Sequence, residues 1–211
     1  MKYIKFSFTL TYILLLTTGL ITFVEALRTK DESVRHIMNL ETCISIVAGY
    51  FYGSFINEVS SSSNPQWKQI SSTRYTDWCI TTPMMLLALC IVLSTHVKKK
   101  LKLHFFITIV ALNYCMLYIG FLGEINKIDK LNAMIMGFFP FIVMFGLIYY
   151  QYVSSTNYVL FVVYGIVWSL YGLVYMLDEI KKNIAFNTLD FISKCFIGLG
   201  LWAYYTKIIV S

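Results

Sequence analysis

Arg74-Tyr75-Thr76-Asp77-Trp78-Cys79-Ile80-Thr81-Thr82-Pro83 opens an apolar run that continues to Thr95. On a helix Arg74, Asp77 and Thr81 share one face, because side chains three, four and seven residues apart line up. A charged side chain in the middle of a membrane helix costs about 2.5–3.5 kcal/mol unless it is paired, so an embedded arginine and aspartate point to function. Their partner must come from another helix. Lys194 stands in the last apolar run, and Asp190 lies one turn before it on the same face.

Outward from these two motifs, the composition sets the class. The 211 residues are 58% hydrophobic and 13% charged, with mean hydropathy +0.67, whereas soluble domains carry about 25% charged residues. The chain is therefore expected to be an all-α integral membrane protein forming one domain over residues 1–211, and an enzyme is not expected. Seven apolar runs, each roughly the 20 residues that cross a bilayer, occupy Ile4–Leu27, Ile37–Asn57, Arg74–Thr95, Leu103–Gly123, Leu131–Tyr150, Thr156–Leu177 and Ile184–Ile209. Lys2, Lys5 and Val24-Glu25-Ala26 imitate a signal peptide with a cleavage site. The first run is longer than the 7–15 residues of a signal core, however, and its removal would leave six helices.

Basic residues in short loops set orientation. With the N-terminus outside, the inner segments hold the dense run Lys98-Lys99-Lys100-Leu101-Lys102, which anionic lipid attracts, while Glu58, Glu124, Asp129, Asp178 and Glu179 dilute the outer lysines. The five cysteines all fall in apolar spans without paired spacing, and His36, His96 and His104 are separated. No disulfide and no metal site is expected. Ser60–Asn64 reads as a polar loop between the second and third spans.

At the two charged motifs the sequence resembles a known family. Arg74–Leu89 is similar to the third helix of the microbial (type 1) rhodopsins, bacteriorhodopsin above all, and Leu189-Asp190-Phe191-Ile192-Ser193-Lys194 is similar to their seventh helix. Two such motifs in the right order and on the right helices carry more weight than either alone. Chain length, terse loops, and Glu25, Arg35 and Trp202 as an inner layer resemble the short viral members.

The resemblance implies a seven-helix bundle with all-trans retinal at its centre, held as a covalent Schiff base on Lys194. Tyr75, Trp78, Thr82 and Met85 on the third helix match the family's positions around retinal. Met116 and Gly120 match a ring-side pair on the fourth. Trp168, Tyr171 and Tyr175 match the aromatic floor and wall on the sixth. Methionine and aromatics at this spacing are otherwise ordinary bundle core. Tyr175 stands where a second tryptophan is usual and Gly172 where proline is usual, so the sixth helix lacks the lost hydrogen bond by which proline kinks a helix. Pro140 on the fifth is an alternative kink.

By the same resemblance, light isomerises retinal to the 13-cis form, Asp77 accepts a proton, Asp190 is the second counterion, Arg74 gates the outward path and Thr81 hydrogen-bonds Asp77. Asp77 argues against anion pumping, which uses a neutral residue there. The family's inner donor position, eleven residues after Asp77 and about 16 Å further in, is Ala88. Glu41 is then the candidate for returning a proton, against the plainer reading of an end-of-helix anchor.

The function expected is a light-driven outward proton pump. The alternative is a light-gated cation channel, which the absent inner donor and the glutamates of the first two helices also suit, and a photosensor with a separate transducer ranks third. The expected partners are the lipid bilayer, transported protons or cations, and further copies in a homo-oligomer (pentamer or dimer). No nucleic acid is expected. The protein is placed as multi-pass, N-terminus outside and C-terminus inside, in a host-cell membrane if viral.

Overall fold

The computed structural model describes residues 2–61 and 64–208, and their regular structure is helical: α1 (Lys2–Arg28), α2 (Glu32–Ser61), α3 (Trp67–His96), α4 (Leu103–Glu124), α5 (Lys130–Tyr152), α6 (Tyr158–Val174) and α7 (Glu179–Tyr205). The helices start earlier or end later than most of the apolar runs, because polar residues at their ends cap rather than interrupt them. Asp31 Oδ1 accepts the Ser33 N–H at 2.8 Å before α2. Asp129 accepts the Asn132 N–H at 3.0 Å before α5, and Asp178 accepts the Lys181 N–H at 3.1 Å before α7. Each aspartate satisfies a helix N–H that would otherwise lack an acceptor. That donated bond, with the Lys181 ammonium 3.1 Å away, holds the Asp178 carboxyl below the usual carboxylate range. Left-handed residues end three helices, Lys98 at φ 53° after α3, Asn126 at φ 59° after α4 and Lys207 at φ 58° after α7. α2 continues through Ser61, so of the expected Ser60–Asn64 loop Ser62 and Ser63 lie outside the described residues. Ile209, the expected end of the seventh span, does too.

By length and composition α1, α3, α4, α5 and α7 can each cross a membrane, and α6 is a shorter apolar helix. Its 17 residues rise about 25 Å, at the short end of a spanning helix. α2 carries Glu32, Arg35, Glu41 and Glu58 along it. Burial is inverted relative to a water-soluble protein. Arg74, Lys182 and Lys194 are among the largest fully buried side chains, while Leu103, Phe139, Tyr150 and Val159 are more than 70% exposed. In lipid the exposed apolar groups are at no disadvantage, and the charged ones must be satisfied inside.

The chain forms two compact units, one of residues 1–66 and 183–211, the other of residues 67–182. In the first, α1 and α2 pack closely: a Cβ at Gly19 would lie 3.2 Å from Ser45 Cβ, and one at Gly49 would lie 3.3 Å from Leu16. Small residues at such crossings let helix backbones approach. Thr22 and Thr42 hydrogen-bond across the pair at 2.9 Å, and Phe8 packs edge-on against Phe55 with Tyr52 adjoining both.

In the second unit the Asn157 amide, ahead of α6, donates to Leu93 O at 3.1 Å on α3 and Tyr152 O at 2.9 Å on α5. One side chain thus closes three helix ends. Gly172 is explained by packing: a Cβ there would meet the Phe138 ring at 2.6 Å. Pro83 and Pro140 both lie inside helices, α3 and α5.

Candidate functional site

In the second unit the α3 face holds Arg74, Asp77 and Thr81, each with no exposure. Thr81 Oγ1 donates to the Asp77 carbonyl at 2.9 Å and lies 3.3 Å from its Oδ1. The hydroxyl therefore divides one hydrogen between the helix backbone and the carboxylate. One residue on, Thr82 donates to Trp78 O at 2.6 Å and accepts from Asn113 Nδ2 of α4 at 2.8 Å. Asn113 was not singled out from the sequence. An amide in the middle of an otherwise apolar run was the signal available.

The aromatic positions come together in the same unit. Trp78 meets Tyr171 edge to face at 5.5 Å and 89°, and Tyr75 meets Trp78 at 5.2 Å. Trp168 packs against Phe145 at 5.9 Å, and its buried Nε1 has no hydrogen-bond partner among the described residues. Met85 is buried in α3, and Met116 on α4 is only partly covered. Gly120 has a clear reason to lack a side chain, since a Cβ would lie 2.9 Å from the Tyr75 hydroxyl. Tyr175 donates to Gly120 O at 3.1 Å, tying the end of α6 to α4.

A second ionic group occupies this unit. Lys182 Nζ donates to Glu124 Oε1 at 2.7 Å and Glu179 Oε1 at 2.8 Å, with Lys182 and Glu124 fully withdrawn from solvent. Glu179 also accepts from Ser71 Oγ at 2.9 Å. The sequence reading put Lys182, Glu124 and Glu179 among loop charges; instead they join α3, α4 and the first turn of α7.

In the first unit Lys194 lies in a π-helical segment of α7, Phe191–Phe196, set between α-helical stretches. A π turn widens the helix by one residue and is common at functional sites. Lys194 Nζ is 3.7 Å from Asp190 Oδ1, and both side chains are buried. Tyr52 donates to Asp190 Oδ2 at 2.8 Å and lies 3.2 Å from Asn187 Oδ1. The Asn187 amide in turn donates to Ser7 at 2.9 Å, and Thr11 donates to Asn187 O at 3.2 Å. A phenol, an amide and two hydroxyls from three helices therefore fix one carboxylate, and none of them was predicted.

Glu41 is 2% exposed. It makes no hydrogen bond or ion pair among the described residues, and its Oε2 lies beside Gly198 of α7. Full burial argues against the end-of-helix anchor expected as the plainer reading. Glu25 and Arg35 are not ion-paired among the described residues; the Arg35 guanidinium donates to Thr29 O at 3.0 Å.

Chemically, in the first unit a buried primary amine with a neighbouring carboxylate suits covalent capture of an aldehyde, and in the second unit the tryptophans and tyrosines offer flat apolar surfaces. The bacteriorhodopsin-like protein family model matches residues 2–208. The crystal structure of the viral rhodopsin OLPVRII is similar at 43% identity and TM-score 0.93, over 98% of this chain and 99% of that one. The blue light-absorbing proteorhodopsin from Med12 shares the fold at TM-score 0.79 and 21% identity, over 99% of each chain. The proton pumping rhodopsin AR2 from the marine alga Acetabularia acetabulum does so at 0.80 and 19%, over 100% of this chain and 98% of that one. Among curated proteins none matches.

Proposed function

Because the chain belongs to the bacteriorhodopsin-like family, and so is a light-activated seven-helix retinal protein of the membrane and not an enzyme, we propose that it drives protons outward, with Lys194 as the retinal-bearing residue and Asp77 as acceptor. Retinal, bound to Lys194, would supply the light-driven change of shape that alters the proton affinity of the Lys194 nitrogen. The residues fit such a group: Lys194 is buried with Asp190 at 3.7 Å, Trp78 and Tyr171 offer flat apolar surfaces, and the buried Trp168 Nε1 has no hydrogen-bond partner among the described residues. Tyr75, Thr82, Met85, Met116, Gly120 and Tyr175 complete the proposed lining.

The observation that carries the pump reading is Asp77. It is a fully buried carboxylate on the α3 face that also carries Arg74 and Thr81, and it shares the Thr81 hydroxyl with a backbone carbonyl. Asp190, held by Tyr52 at 2.8 Å, serves as the second counterion. Arg74 supplies the positive charge that biases release outward, and Glu41 returns a proton to the Lys194 nitrogen. The N-terminus is assigned to the outside and the C-terminus to the inside; a host-cell membrane and a homo-oligomer, pentamer or dimer, complete the reading.

Ala88, fully buried where the family keeps its inner donor, favours a second reading, a light-gated cation channel. One measurement separates the two. Under voltage clamp, a pump gives outward photocurrent at zero driving force that Asp77→Asn abolishes. A current that reverses at the equilibrium potential of its ion, or outward transport at full amplitude in Asp77→Asn, would overturn the pump reading.

A further inference from the structure

We propose that Gly198 is a positioning residue for proton return: its missing side chain is the space in which the Glu41 carboxyl sits one turn beyond Lys194, with the Thr18 and Ser45 hydroxyls as the polar lining of that space. The inference rests on the return role proposed for Glu41 and adds what places the acid.

Three observations within the first unit converge. A Cβ on Gly198 would stand 2.8 Å from Glu41 Oε2, 3.5 Å from its Cδ and 3.4 Å from Thr18 Cγ2. Nothing in the backbone requires glycine there, since its neighbours continue an ordinary α-helix, so the close approach of the acid accounts for it. Second, Thr18 Oγ1 and Ser45 Oγ are buried without a hydrogen-bond partner among the described residues. Thr18 has only the Cys195 thiol beside it, a weak partner. Ser45 lies four residues after Glu41 and so on its face of α2, and its Cβ is in close reach of Gly19 on α1. Buried hydroxyls normally find partners. Ser45 without one, and Thr18 with only a thiol, near a buried acid, are groups along which a proton can pass. Third, Gly198 follows Lys194 by four residues, directly after the π-helical segment, so the acid is set against the same helix that carries the amine.

The atom that a new methyl group at 198 would strike is the far end of a flexible side chain, not backbone. Gly198→Ala should therefore fold and displace the carboxyl. In the full-length protein reconstituted with all-trans retinal in lipid vesicles, flash photolysis should show an unchanged visible band and an unchanged early proton loss from the Lys194 nitrogen. The final recovery should slow roughly ten- to a hundred-fold, the scale on which a misplacement of about 1 Å acts, and added azide should restore it. Two further variants test the route. E41D/G198A, whose shorter acid clears the methyl, should recover like E41D alone. E41Q/G198A should be no slower than E41Q, because the two changes act through one group.

An unchanged recovery in Gly198→Ala while Glu41→Gln is slow overturns the role of Gly198 and leaves that of Glu41. Equal slowing of wild type and Glu41→Gln by the alanine also overturns it. A normal recovery in Glu41→Gln removes the return role and this inference with it, the pigment and Asp77 being untouched. Should Gly198→Ala bind no retinal, E41D/G198A decides: a pigment supports the clearance, and none overturns it.

Discussion

Among the described residues two lysines are buried, and they sit in different settings. Lys182 is clasped by Glu124 at 2.7 Å and Glu179 at 2.8 Å, and Glu179 is further tied to Ser71. Lys194 has Asp190 at 3.7 Å, at the long end of an ion pair, and that carboxylate is engaged by Tyr52 at 2.8 Å. Lys182 thus ties the end of α4 to the first turn of α7 through two carboxylates, whereas the carboxylate beside Lys194 is shared with a phenol. Burial alone does not distinguish the two lysines; their settings do.

The largest test of this contrast is chromophore formation. Lys194→Ala, supplied with retinal, should show no visible band, whereas Lys182→Met should keep one. A coloured Lys194→Ala protein, or a colourless but folded Lys182→Met protein, would reverse the assignment. Next in size is stability. Removing Lys182 strands buried Glu124 beside Glu179, and breaking a buried pair on one side costs about 3–5 kcal/mol. Thermal bleaching of Lys182→Met should therefore begin well below that of the parent. Glu124→Gln in the same background should recover part of the loss by removing the stranded charge. Smallest is Tyr52→Phe, which deletes a hydrogen bond to a charged group worth about 1.5–3 kcal/mol. It should lower stability by no more than that, and by altering the hydrogen bonding of Asp190 it should shift the visible band. An unmoved band in Tyr52→Phe would show that the phenol does not act on the Lys194–Asp190 pair.

The same two lysines show what the sequence can convey. Lys194 could be read because it interrupts an apolar run with Asp190 one turn away, a local pattern. The seven helices were legible for a similar reason, since each depends on its own run of apolar residues. Lys182 was not legible. It follows Lys181 and precedes Asn183 in what reads as a polar connection, and its partner Glu124 lies 58 residues away. Pairings at that distance leave no trace in spacing. Tyr52 and Asn187 were missed likewise, because a tyrosine among aromatics and one asparagine near a helix start are common. Asp31, Asp129 and Asp178 explain why helix ends moved: an acid before an apolar run looks like loop charge and acts as a cap. Gly198 is the extreme case, because what matters there is an atom that is not present.

The π-helical segment Phe191–Phe196 has an ancestry as well as a shape. Such a turn is what an α-helix becomes when one residue is inserted and the flanking turns keep their places. Deleting a residue from Phe191–Phe196 would restore uniform winding and turn everything beyond it by about 100°, carrying Gly198 and Leu201 off their present faces. Length changes elsewhere in the chain can be absorbed at the connections between helices. Within these six residues the count is fixed, so comparing homologous chains for gaps at this point would reveal which of them share the same wiring between helix and acid.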